Sequence, residues 1–246
     1  MLNSYNIEDF TEQHYEDILK SIKREGYIPI FYNEKYMSKS VLLRHDIDFS
    51  PHRALALSKI EKKQGIKATY FLLLSSEFYN IFERKIKNII ASILNNGHEI
   101  GLHFDPSVHE IKEEDDLVRF LSYEKQIIEE LFKIKINAFS FHNPTPENLG
   151  NGNLKYADMI NTYSDVLKND FYYCSDSNGY WRYERMYNVI KNSHDKLHLL
   201  THPEWWQNET SLPRERVKRA VYGRANNLIK GYDSFLKNQG RINIGK

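Results

Sequence analysis

The chain has 246 residues, 41% hydrophobic and 27% charged, which excludes a disordered or collagen-like polymer and suits a globular protein with a sizeable core. Its 34 Lys and Arg nearly cancel 33 Asp and Glu, for a net charge of +1, so overall charge gives no drive toward nucleic acid. Cys174 is the one cysteine, which excludes an internal disulfide and a thiolate zinc cluster.

The length is open to one large α/β barrel as well as to two small domains, and one domain over residues 1–246 is expected. No apolar run is long enough to span a bilayer. The start, MLNSYNIEDF, lacks a basic stretch followed by an apolar one, so no secretory signal is expected and the cytoplasm is the expected location.

Residues 7–26 predict a helix. Tyr15, Ile18, Leu19 and Ile22 form one apolar stripe, with Thr11 as N-cap and Gly26 as stop. Val41 to Arg44 predicts a short strand ending in His45-Asp46-Ile47-Asp48. Pro51 suits the first turn of a helix that runs to about Gln64 and stops at Gly65. The apolar run from Ala68 to Leu74 predicts a strand covered on both faces. Phe82 to Leu94 predicts a helix, His98 to Phe104 a strand, Glu113 to Phe132 a long helix, and Ile136 to Phe141 a strand ending at His142-Asn143-Pro144. Beyond this the pattern loosens. Phe171 to Ser175 and Leu197 to Thr201 predict strands, and a basic helix is expected over about 213–238, with Gly223 and Gly231 weakening it.

Strands alternating with helices of this length predict an α/β fold with a mainly parallel sheet. Ligands in such folds sit at the carboxyl ends of the strands. Here those ends carry Asp46 and Asp48, His103 and Asp105, His142 and Asn143, and His202. Four separate strands thus bring His or Asp to one edge.

Asp46 and Asp48 stand at i and i+2, so both carboxylates address one side of a strand. Close like charges repel unless a cation neutralises them. A divalent metal would do so, with one carboxylate as ligand and the other free as a base. Asp48 equally fits the cap of the following helix. His103 suits a metal ligand, since neutral imidazole is a common one. Asp105 fits either an orienting partner for an imidazole or the cap of a turn at Pro106. His14, His45, His52, His98, His194 and His198 read as structural or surface residues, and His109 stays open.

At these residues the sequence resembles the polysaccharide deacetylase family, carbohydrate esterase family 4 and its relatives, over roughly residues 40 to 205. The nearest likeness is to a divergent branch tied to O-antigen and other surface polysaccharides. The resemblance implies a distorted (β/α) barrel, a divalent metal such as zinc, and hydrolysis of N-acetyl groups on amino sugars. By order, Asp46 matches the family's base and Asp48 a metal ligand, although Ile47 separates what the family keeps adjacent. His103 matches the first of two ligating histidines, and Ser107 stands where the second is expected. His142-Asn143-Pro144 occupies the place of an Arg-x-Pro motif, so His142 is taken as the replacement third ligand, with His109 as competitor. Leu200-Thr201-His202 matches the motif of the catalytic acid. Substrate contacts are assigned to Asp105, Asn143, Asp176, Trp181 and Trp205, the tryptophans as flat surfaces for a sugar ring.

Residues 213–246 carry 9 Lys and Arg against 2 Asp and Glu. A solvated helix face explains this simply. It also suits a lipid- or nucleotide-linked sugar, or peripheral contact with a membrane surface. The leading expectation is a metal-dependent amide hydrolase. The alternatives are a deformylase or other ester or amide hydrolase on the same scaffold, and a non-catalytic sugar-binding protein.

Overall fold

Apolar runs punctuated by Gly and Pro set the element order. The computed structural model describes residues 7–150 and 152–245. A 3-10 turn (Ile7–Phe10) leads to α1 (Glu12–Arg24), β1 (Ile28–Ile30), β2 (Ser40–Ile47), α2 (Pro51–Gln64), β3 (Thr69–Leu73) and α3 (Arg84–Asn95). β4 (Glu99–Phe104), α4 (Glu114–Phe132), β5 (Ala138–Phe141), α5 (Pro146–Gly150), β6 (Lys155–Tyr156), β7 (Met159–Asn161) and α6 (Asp165–Asp170) follow. The chain continues through β8 (Tyr172–Ser177), β9 (Tyr180–Trp181), α7 (Met186–Lys191), β10 (Leu197–Thr201), a 3-10 turn (Pro203–Trp205) and α8 (Pro213–Asn238).

The strands lie in the order β6-β7-β5-β4-β3-β2-β10-β8-β9, with β1 also beside β2. Among the described residues only the end pairs β6–β7 and β8–β9 are antiparallel. No ladder joins the two ends among the described residues, so the (β/α) barrel is distorted and unclosed.

Side chains alternate across each strand. On β2, Val41, Leu43 and Ile47 join the layer between sheet and helices, with Ile18, Leu57 and Ile90. Leu42 points the other way, into a smaller cluster with Tyr32, Phe71, Ala138 and Phe171. The inner face of the sheet is therefore apolar toward the amino ends of the strands and charged toward their carboxyl ends. Gly101 on β4 is required by the close approach of Phe71, whose ring would stand 2.6 Å from an added Cβ.

The expected elements all form, with shifted ends. The N-terminal helix is divided at Thr11, whose hydroxyl accepts from the His14 N–H at 3.2 Å and caps α1. β2 runs beyond Arg44 through Ile47, because pairing with β3 and β10 continues there. α8 passes unbroken through Gly223 and Gly231. β1, β6, β7, β9 and the short helices α5 to α7 were not expected.

Candidate metal and acid–base site

β2 places Arg44 and Asp46 on one side, and Asp48, the residue just past its end, continues the alternation. Arg44 is fully buried and grips Asp46 with two hydrogen bonds, Nε to Oδ1 at 2.8 Å and Nη2 to Oδ2 at 2.7 Å. Its remaining donors reach Thr162 Oγ1 and the Tyr163 hydroxyl, each at 3.1 Å. Burial pushes the Asp46 carboxyl up, but the Arg44 guanidinium and the imidazoles of His103 and His202 outweigh it and hold it below the usual range. Asp46 is thus an ionised carboxylate, oriented and out of water.

Beyond it, Asp48 Oδ1 stands 3.2 Å from His103 Nε2 and 3.6 Å from His142 Nδ1. The two imidazole nitrogens are 3.2 Å apart. Asp48, His103 and His142 therefore aim one ligand atom each at a common point. Donors about 2.0–2.1 Å from a tetrahedral ion stand roughly 3.3–3.4 Å from one another, so this triangle has the edge lengths of one face of such a site. Asp48 Oδ1 is also buried with no hydrogen-bond partner among the described residues, an acceptor that a cation would satisfy. Burial pushes the Asp48 carboxyl up, yet the two imidazoles bring it far below the usual carboxylate range.

Neighbouring groups fix these side chains. Ser140 Oγ lies 2.7 Å from His103 Nδ1 and leaves Nε2 facing the common point. The Asn143 amide lies 2.9 Å from His142 Nε2. Ser76 Oγ donates to the Asp48 carbonyl at 2.7 Å. Donor set and distances fit a divalent ion held by Asp48, His103 and His142.

His202 follows β10 on the opposite side of Asp48, its Nε2 at 4.0 Å from Asp48 Oδ2. Its Nδ1 is 2.5 Å from Asp176 Oδ1, and its backbone N–H donates to both Asp176 oxygens at 3.1 Å. Burial alone would lower the His202 pKa, but the Asp176 carboxylate, followed by Asp48 and Asp46, raises it well above the ordinary histidine value. These carboxylates favour the protonated form of His202.

Several expectations need correction. Asp176 is 2% exposed and commits its oxygens to His202 and to Trp206 Nε1, so it positions His202 instead of meeting substrate. Trp181 is buried, donates to Asp9 Oδ2 at 3.0 Å and stacks on Phe10. Trp205 is buried edge-on against Phe49. Both rings belong to the main hydrophobic core. His109 does not join the ligand cluster. It pairs with Glu124 at 2.6 Å and stacks between Phe104 and Phe120.

Asp105 caps the turn at Pro106 by accepting from Ser107 N–H and Oγ. With Asn143 and Thr145 it also lines an open cavity of about 750 Å³ that reaches His142. Arg44 and Ser140 were missed. Each lies two residues before a strand-end site residue, Asp46 and His142, and that spacing on one strand face was the available signal.

No protein-family model matches the chain, and no curated protein matches it. Among solved structures it is similar to a family 4 acetyl xylan esterase from Clostridium thermocellum in complex with a cobalt ion, at 16% identity over 82% of this chain and 92% of that one, TM-score 0.43. It is similar to a Streptococcus mutans CE4 esterase at 12% identity over 91% of this chain and 89% of that one, TM-score 0.46. It is also similar to a CE4 family pseudoenzyme from Bacillus anthracis at 15% identity over 81% of this chain and 65% of that one, TM-score 0.41. These likenesses concern the course of the chain and assign no residue a role.

Proposed function

We propose that this chain is a divalent-metal-dependent hydrolase that removes an N-acyl group, N-acetyl first among them, from an amino sugar or sugar conjugate made for a surface polysaccharide. One observation carries the chemistry: a carboxylate and two imidazoles converge on a point flanked by an ionised aspartate and a histidine whose protonated form is favoured. The sugar substrate rests on the order of the motifs along the sequence. Two imidazoles and a carboxylate are a common donor set of catalytic zinc, and zinc is the proposed ion.

A bound divalent ion would acidify a water molecule and polarise the scissile carbonyl. Asp46 is placed to act as the base, taking a proton from an attacking water molecule. Arg44 keeps the carboxylate ionised and aimed, so no reorientation is needed when the proton arrives. His202 holds its proton on Nε2, since Nδ1 faces Asp176, and gives it to the departing amine. An amide nitrogen needs that proton because its anion leaves poorly. Asp105, Asn143 and Thr145 line the open side, where a sugar ring can approach.

The test is release of acetate or formate from N-acetyl and N-formyl amino sugars and their nucleotide conjugates by the zinc-loaded protein. Asp46→Asn is expected to keep its metal by elemental analysis and lose about 10²–10⁴-fold in turnover. Unchanged turnover in that variant would overturn the role of Asp46. Absence of stoichiometric metal in the unaltered protein would overturn the reading as a whole.

A further inference from the structure

A cavity of about 450 Å³ lies between α8, the first turn of α2 and the Pro203–Trp205 turn, a size common among small-ligand sites. Along the chain it adjoins the metal site. Phe49 and Ser50, on its wall, directly follow Asp48, and Glu204 comes two residues after His202.

The cavity wall includes a carboxyl that lacks partners. Glu204 is 1% exposed, and both of its oxygens are buried without a hydrogen bond among the described residues. A buried polar group left in that state costs free energy that a bound ligand can recover. Burial, followed by the Asp48 carboxylate, pushes its pKa well above the usual range. The fitting partner therefore serves the carboxyl whether protonated or ionised, and a hydroxyl, which both donates and accepts, does so. Phe49 and Phe78, with ring centroids 5.1 Å apart, add apolar wall.

The surroundings of Glu204 are cationic. Arg53 is neutralised by Glu12, and Arg224 by Glu83. The buried Arg216 donates to the Trp205 carbonyl. Arg219, exposed on α8, donates to the neutral Gln207 Oε1 at 3.1 Å and meets no carboxylate among the described residues. Lys85, exposed on α3, has no hydrogen-bond or ion-pair partner among them, and it is near enough to His52 to help lower the imidazole pKa. The amino end of α2 adds its own partial positive charge.

These walls select the ligand. Inorganic phosphate would leave Glu204 without a partner. A polyamine would meet Lys85 and Arg219, and a neutral oligosaccharide would leave both cations unused. A molecule with hydroxyls at one end and a phosphate at the other serves both sides. We infer that the cavity binds a phosphorylated sugar, its hydroxyls on Glu204 and its phosphate toward Lys85 and Arg219. That this sugar is the one deacylated at the adjoining metal site rests on the hydrolase reading, whereas its binding in the cavity does not.

The test is titration calorimetry on the full chain, with and without added zinc. The probes are N-acetylglucosamine 1-phosphate, UDP-N-acetylglucosamine, N-acetylglucosamine and inorganic phosphate. Both phosphorylated sugars are expected to bind in either condition, about tenfold or more tighter than the other two probes. Lys85→Gln with Arg219→Gln should weaken them by about tenfold or more, at an unchanged melting temperature because both side chains are exposed. Glu204→Met removes the acceptors at similar volume and should weaken the phosphorylated sugars while leaving inorganic phosphate as it was. Equal affinity for inorganic phosphate, or binding that the Lys85 and Arg219 pair leaves intact, would overturn the inference. Binding seen only with zinc would place the phosphate on the metal and overturn it too. Phosphorylated sugars that bind without release of acetate would count against the hydrolase reading alone. Acetate release from N-acetylglucosamine oligomers, with no binding of phosphorylated sugars, would sink the cavity inference alone.

Discussion

Arg44 spends its donors on Asp46, Thr162 and Tyr163 with no exposed surface of its own. Arg44→Met would strand an ionised carboxylate in the barrel. A loss of about 3–5 kcal/mol is expected in urea unfolding, and adding Asp46→Asn should restore part of it. Ser140→Ala removes the group that orients His103 and should weaken metal binding by about 10–100-fold. His109→Ala, in its aromatic slot beside Glu124, should leave metal content unchanged by elemental analysis. His202 donates its proton only while charged. Its raised pKa favours the acid form, and turnover should fall as pH rises through that value. Asp176→Asn removes the chief cause of the rise, so the alkaline limb of the pH–rate profile should move to lower pH. An unmoved limb would assign the acid elsewhere.

At the scale of elements, β4 lies against β3 only because Gly101 leaves room for the Phe71 ring. Gly101→Ala overpacks that contact and should cost about 1–3 kcal/mol, read as a lower urea midpoint. The βα units were legible because their signals are local. Ser50 caps α2 beside Pro51, Gly65 ends it in a left-handed conformation at φ 68°, and the strands on either side carry short apolar stretches such as Val41 to Leu43 and Tyr70 to Leu73. β6 and β9 have two residues each, too few for any periodicity to register. Among site residues, Asp46, Asp48, His103, His142 and His202 stood out because polar groups ending apolar strands are conspicuous. Arg44 did not, since it lies inside the strand rather than at its end, although its place two residues before Asp46 on the same strand face marked it. Trp181 and Trp205 misled because an aromatic side chain near polar neighbours reads alike at a rim and in a core.

For the molecule as a whole, a second buried polar centre ties the layers together. Glu61 of α2 binds the Tyr15 hydroxyl of α1, accepts from Tyr70 of β3 at 2.6 Å, and lies 2.5 Å from His45 Nε2 of β2. His45 Nδ1 is 2.6 Å from Thr201 Oγ1 of β10. Burial pushes the Glu61 carboxyl up, but His45, then His98 and Tyr15, bring it below its ordinary value. A carboxyl lowered on folding stabilises above its unfolded pKa, and that stability is lost as pH falls through the folded one. Glu61→Gln should therefore lower the melting temperature at neutral pH and flatten its decline in acid, as seen by scanning calorimetry. The same strand serves both centres. Odd positions of β2 face Glu61 and the helices, while even positions face the barrel. Sliding β2 by a single residue against its neighbours would exchange these sets, sending Asp46 among the helices and His45 inside. Indels just upstream of Ser40 that shift this alignment would abolish the native state itself, so a well-folded but miswired centre is not an accessible outcome of such changes.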